Sequence, residues 1–250
     1  MRSGPRSPRL APMIGLALGA CGGSARPVDP GPSISATPLT RVVVEDSELD
    51  DGAQVVGARG HLEDAAVDAA LAPHRTALTR CYTQKVGRRT WLGGRVVLRW
   101  AVGADGALTS VRITESDLGA WPVESCLLSI ARQVSFGTPI GGAAEVTLPL
   151  ELSVAKPLAI SQEPPAAKAT SALLAKLDAC AKGKAKLAMP HDVALTIYLG
   201  PRGAAASIGF ASAMDLDDDW AACAEKAALG WRVPESKGQV TKLALRYRPR

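Results

Sequence analysis

Five cysteines constrain this 250-residue chain more tightly than any other residue type: Cys21, Cys81, Cys126, Cys180 and Cys223. The first closes Leu18-Gly19-Ala20-Cys21, directly after a short apolar run. The other four form two pairs of nearly equal span, Cys81 with Cys126 and Cys180 with Cys223. One thiol for a lipid and four for two bridges leaves none over. That arithmetic points to an exported, membrane-tethered and internally duplicated chain. Four cysteines allow three connectivities, and a repeat favours pairing within each copy.

Arg2, Arg6 and Arg9 make a basic start, and Leu10–Ala20 is apolar but far shorter than the roughly 20 residues that span a bilayer. This reads as a secretory leader over residues 1–20. The small residues Gly19 and Ala20 before Cys21 resemble the lipobox of bacterial lipoproteins, which implies lipidation at Cys21. Gly22, rather than aspartate, follows that cysteine, which implies outer-membrane sorting with the folded part facing the periplasm. The alternative is an ordinary leader followed by a chance cysteine. Loss of the three leader arginines takes 29 basic residues to 26 against 24 acidic ones, a net of +2 rather than +5. A nucleic-acid partner is not expected, because a phosphate-binding face needs a concentrated basic stripe.

Residues 21–57 are rich in Gly, Pro, Ser and acidic side chains, among them Glu45, Asp46, Glu48, Asp50 and Asp51. Such a stretch buries too little apolar surface to offset its ordering entropy and is expected to be a tether, with Thr40–Val44 at most a weak strand. Residues 58–155 and 169–250 then read as one unit written twice, joined by a proline-marked linker over 156–168 (Pro157, Pro164, Pro165).

In the first copy the periodicity predicts a helical stretch over Leu62–Lys85, interrupted at Pro73. A strand follows with Val96, Leu98, Trp100 and Val102 on one face. Gly103-Ala104-Asp105-Gly106 is a hairpin signal, Val123–Val134 a second helix, and Ala144–Ser153 a last strand. Pro149 cannot donate to a ladder, which predicts that this strand lies at a sheet edge. The second copy repeats the order. Gly200-Pro201-Arg202-Gly203 and Cys223 follow the first turn and Cys126 by the same interval, and Trp231 and Pro234 keep step with Phe136 and Pro139. The expected fold is α+β: two tandem small domains, each helix, β-hairpin, helix, strand, with helices on one face of a three-stranded antiparallel sheet. Below about 100 residues such a core is marginal alone, so bridges from first to second helix suit it.

Arg80-Cys81-Tyr82, Gly93-Gly94-Arg95-Val96-Val97, Gly103–Gly106, Glu124-Ser125-Cys126 and Phe136-Gly137-Thr138-Pro139 resemble the TonB C-terminal-like tail domain, in the AgmX/PglI type of myxobacterial motility and envelope proteins. The resemblance covers residues 58–154 well and the second copy in outline, since Ala181 replaces the tyrosine after Cys180. It implies the same element order and a docking role. Energy transduction is not expected, because the chain has neither an N-terminal transmembrane helix nor a long proline-rich spacer.

No catalytic residue, metal ligand set or cofactor is expected. His61, His74 and His191 stand in no metal-ligand spacing, and there is no Cys-x-x-Cys. Asp215, Asp217, Asp218 and Asp219 lack the glycine and distal glutamate of a calcium loop, and Asp218 or Asp219 is expected to cap the following helix. Trp100 and Trp231 fit core positions; Trp91 and Trp121 fit either contacts or boundary packing. The expected function is a non-enzymatic binding or scaffolding lipoprotein. Its envelope protein partner would pair along the edge strand at Thr147, Pro149 and Glu151. The alternatives are a structural spacer in a motility or secretion assembly, and an envelope hydrolase.

Overall fold

The computed structural model describes residues 34–36, 60–89, 91–154, 158–162, 167–182, 192–233 and 238–249. Residues 31–250 form one compact unit, within which each half builds its own sheet and its own helices.

The first half opens with a short strand, β1 (Ile34–Ala36). The Ala-rich α1 (Asp64–Leu71) follows, with Asp64 favouring its N-terminal dipole. Pro73 lacks the N–H that a continuing helix needs, so one 3₁₀ turn (Ala72–His74) intervenes before α2 (Arg75–Lys85). The hairpin β2 (Gly94–Val102) and β3 (Leu108–Ser116) leads to α3 (Trp121–Ala131), whose first turn accepts Pro122, and then to β4 (Ala144–Leu152). The second half starts with a two-residue strand, β5 (Ile160–Ser161), and α4 (Ala167–Ala181). A hairpin of β6 (Val193–Leu199) and β7 (Ala205–Ser212), then α5 (Asp218–Leu229) and β8 (Val240–Tyr247) complete it. Each half is therefore helix, hairpin, helix, strand. The two hairpin turns match as well: Gly106 donates to Gly103 O and Gly203 to Gly200 O, both at 2.9 Å, with positive φ at Gly106 and Gly203.

Three long antiparallel strands make each sheet, and a short fourth strand joins the outer side. The orders are β1-β4-β2-β3 and β5-β8-β6-β7. These short strands depart from the sequence expectation. The region read as a tether contributes Ile34–Ala36, paired antiparallel with Leu150–Leu152. The region read as a linker contributes Ile160–Ser161, paired parallel with Val240–Thr241, and α4 already begins at Ala167. Both segments are too short to register as strands by periodicity; an existing sheet edge supplies what their own sequence lacks. Thr40–Val44 lies outside the described residues.

The core follows the expected alternation. Val96, Leu98, Trp100 and Val102 are all buried, and the Trp100 indole donates to Ala131 O at 2.8 Å, tying sheet to helix. Trp231 is also buried and donates to Ala169 O at 3.1 Å. The α5 cap is Asp217 rather than Asp218 or Asp219: its carboxylate accepts from Trp220 N at 2.6 Å. Asp218 instead pairs with Arg132. Among the described residues, no helix is long and apolar enough to cross a membrane.

Cys81 on α2 is bridged to Cys126 on α3, and Cys180 on α4 to Cys223 on α5, with Cα–Cα distances of 5.6 and 5.8 Å. Each staple joins the two helices that cover one sheet. Replacing either pair by serine should lower unfolding free energy by about 2–4 kcal/mol. Urea unfolding of oxidised protein checks this; equal midpoints for wild type and a double serine variant would show that the bridge contributes nothing.

Candidate functional site: the outer edge of β4 and the seam between the sheets

Thr147, Pro149 and Glu151 all stand on β4, in register with Arg99, Val97 and Arg95 of β2. Thr147 and Glu151 are half-buried and Pro149 is buried, so Pro149 offers no exposed contact. The face they share is charge-matched: Glu145 meets Arg112 at 3.0 Å and Arg99 at 3.5 Å, and Glu151 meets Arg95 at 3.8 Å. Sequence reasoning places β4 at the sheet edge because of Pro149. It is the outermost of the long strands, but β1 flanks it over Leu150–Leu152. Along Ala144–Pro149, no strand lies on that side among the described residues.

His61 makes a backbone bridge with Ile140, His74 ends the 3₁₀ turn, and His191 lies outside the described residues, as does Cys21. Among the described residues, no three His, Cys, Asp or Glu side chains are grouped to hold a metal ion.

The most unusual chemistry lies where the two sheets meet, at a place the sequence does not flag. Glu124 on α3 is fully buried. One carboxylate oxygen accepts from Ser116 Oγ at 2.7 Å and the other from Phe210 N, on β7, also at 2.7 Å. Gly209 makes room for it, since a Cβ there would collide with the carboxylate. Around this point the halves exchange further bonds. Ser207 Oγ donates to Gly119 O at 2.6 Å, Thr196 Oγ1 to Ser116 O at 3.1 Å, and an Arg89 guanidinium nitrogen to Ala206 O at 2.7 Å. Gly119, at φ 65°, lies where a side chain would strike Tyr198 and Thr196.

Aromatic rings continue the seam. Trp121 meets Phe210 edge-on at 5.3 Å, Phe210 meets Trp220 at 5.5 Å, and Trp220 stacks on Tyr247 at 5.6 Å. Trp91, in the first half, packs edge-on against Tyr198 at 5.2 Å. Trp91 and Trp121 are thus packing residues between the halves. At the rim, Arg132 holds Asp218 through two bonds of 2.8 and 3.0 Å, Ser110 donates to Asp215 at 2.7 Å, and Lys242 reaches Asp117 at 3.2 Å.

Two signals in the sequence point to this seam in hindsight: an acid set among Val123, Leu127 and Leu128, and a glycine in mid-strand at 209, which marks close approach. Burial pushes the Glu124 carboxyl up to about 7, with the nearby Glu225 adding to the rise and the bonds from Ser116 and Phe210 N opposing it. Glu225 is itself raised by burial, against the pull of Arg89. A cavity of about 330 Å³ lies at the rim, lined by Leu108, Ser110, Val111, Arg132 and Asp215; another of about 470 Å³ lies between Leu174, Asp178 and Arg246–Pro249. Glu124 lines neither. Its geometry suits holding two sheets together.

No protein-family model, curated protein or solved structure matches this chain.

Because the folded pKa of Glu124 is raised, the folded state binds the proton more tightly than the unfolded chain does. Its stabilising contribution is complete below the ordinary carboxyl range, declines as pH rises through about 7, and is gone above that. The expected loss between pH 5 and pH 8 is at most about 3 kcal/mol. Glu124→Gln, which keeps an acceptor for Phe210 N, should flatten that slope. Urea midpoints at both pH values decide it: an identical slope in wild type and Glu124→Gln would assign the dependence to other groups. At the same seam, Gly209→Ala should destabilise by about 1–3 kcal/mol through overpacking, read from the same titrations.

Proposed function

We propose that this chain is a non-enzymatic binding or scaffolding module of a bacterial cell envelope. It would be anchored through lipid on Cys21 and built from a duplicated TonB C-terminal-like unit. It takes up an extended segment of an envelope protein along the outer edge of β4. The observation that carries this reading is β1: an extended piece of chain already lies antiparallel against that edge, from Ile34 opposite Leu152 to Ala36 opposite Leu150. The edge therefore has its main-chain groups aligned for pairing, and Ala144–Pro149 extend it. Main-chain bonds along the outer side of β4 would give affinity.

The matching order of elements, the matching glycine turns and the equivalent helix-to-helix bridges support duplication and the family resemblance. The anchor rests on the leader pattern before Cys21. The seam favours a second reading, a rigid spacer, because it locks the halves into one body. A spacer role predicts that Thr147→Pro on β4 leaves function intact in protein that still folds, whereas the binding reading predicts loss of partner capture.

Placing a photo-crosslinking residue at Thr147 in the native envelope tests the binding reading. A discrete adduct is expected from position 147 and none from Lys176 on the exposed face of α4. Equal labelling from both positions, or none from 147, would remove β4 as the contact surface.

A further inference from the structure

The two sulfur bridges hold equivalent places in the two halves but differ in their access to solvent. Cys81 is 1% exposed and Cys126 half-buried, whereas Cys180 is half-buried and Cys223 is exposed. We infer that Cys180–Cys223 is a thiol-exchange site: a dithiol opens it at the Cys223 sulfur while Cys81–Cys126 stays closed, and its opening unseats α4. The inference is independent of strand binding at β4, to which neither cysteine belongs.

Three observations carry it. The first is access. Exchange requires an attacking thiolate to reach a disulfide sulfur, so a bridge with an exposed end reacts while one with a buried end is shielded. The second is how little else holds α4. Of its 15 residues, Leu173 and Leu177 are the buried ones. The matching helices of the first half bury Val67, Leu71, Leu78, Cys81 and Tyr82, and the Tyr82 hydroxyl donates to Leu92 O at 2.6 Å. α4 is tied to its surroundings by the Trp231 indole, which donates to Ala169 O at 3.1 Å, and by the Tyr247 hydroxyl, which meets Asp178 at 3.0 Å. A disulfide and the burial of one or two leucines contribute on the same scale, so the bridge is a large share of what seats this helix. The third is the leaving group. Lys176 stands one turn before Cys180 on α4, and a nearby cation favours the thiolate that departs when Cys223 is attacked.

The reaction balances as an exchange. One thiolate of the dithiol attacks Cys223 Sγ and forms a mixed disulfide. The Cys180–Cys223 S–S bond breaks, and Cys180 leaves as a thiolate that takes up a proton. The second thiolate of the donor then attacks its partner sulfur in the mixed disulfide and releases Cys223, which is protonated in turn. The donor ends as a disulfide and the protein as a dithiol. With α4 released, Leu173, Leu177 and their seat against α5 face water. The reduced second half thus presents an apolar surface that the oxidised one hides.

The probe is dithiothreitol, applied to the oxidised full chain without denaturant, with thiols trapped by iodoacetamide and located by peptide mass mapping. Cys180 and Cys223 should be alkylated at least about tenfold faster than Cys81 and Cys126. Equal rates, or earlier opening of Cys81–Cys126, would overturn the exchange site. In the same samples, tryptic cleavage after Lys176 on α4 should rise as the bridge opens, while cleavage after Arg80 on α2 stays slow. Selective opening with unchanged cleavage at Lys176 would overturn the release of α4. Glutathione, a monothiol, reports the point of attack. Its adduct is expected on Cys223, and an adduct on Cys180 would overturn entry from the α5 side.

Discussion

A carboxylate sealed away from water must draw its hydrogen bonds from the protein, and Glu124 draws one from each half: Ser116 on its own sheet and the main chain of Phe210 on the other. Much of the molecule is arranged around that requirement. Gly209 has no side chain because the carboxylate fills its place, and Gly119 lacks one because Tyr198 and Thr196 press on it. Ser207 and Thr196 turn their hydroxyls onto first-half carbonyls. Trp121 lies on Phe210, which joins it to Trp220 and Tyr247 deep in the second half. The cost of hiding one acid is offset by a set of bonds that bind two small sheets into one unit.

This arrangement also settles where each sheet leaves its edges. β3 and β7, the inner edge strands, pack against each other at the seam, and Glu124 takes up the Phe210 N–H that would otherwise face an empty position. The outward strands β4 and β8 each receive a short piece of chain at one end. An unpaired row of amides and carbonyls is a template for unwanted association. Here one pair of edges is hidden at the seam, and among the described residues the other is covered only in part.

The long elements were legible because their apolar residues recur at helical or strand spacing, and because Pro73 and the Gly103 and Gly200 turns punctuate them. The interval between those turns, kept again between Cys126 and Cys223, pointed to pairing within each half, as found. What could not be read is tertiary. β1 and β5 have no periodicity of their own and become strands only against an edge built elsewhere in the chain. Asp217, Asp218 and Asp219 are chemically equivalent cap candidates until Arg132 reaches Asp218 across the seam. Glu124 stands in the sequence only as part of the Glu124-Ser125-Cys126 motif, and its burial could not be read because Phe210 N, one of its donors, comes from the other half. Trp91 and Trp121 looked ambiguous for the same reason.

The strand order carries one more consequence, for the route by which the chain acquires this shape. In each half the strand made last lies between two made earlier: β4 between β1 and β2, β8 between β5 and β6. A nascent chain emerging in order can form each hairpin at once, but must wait for its final strand to thread into a slot with earlier segments on both flanks. Closure of either sheet is thus a late, long-range event. Until β8 arrives, the second half exposes the side of β6 on which it belongs, so the interval vulnerable to aggregation closes only once Val240–Tyr247 has been made.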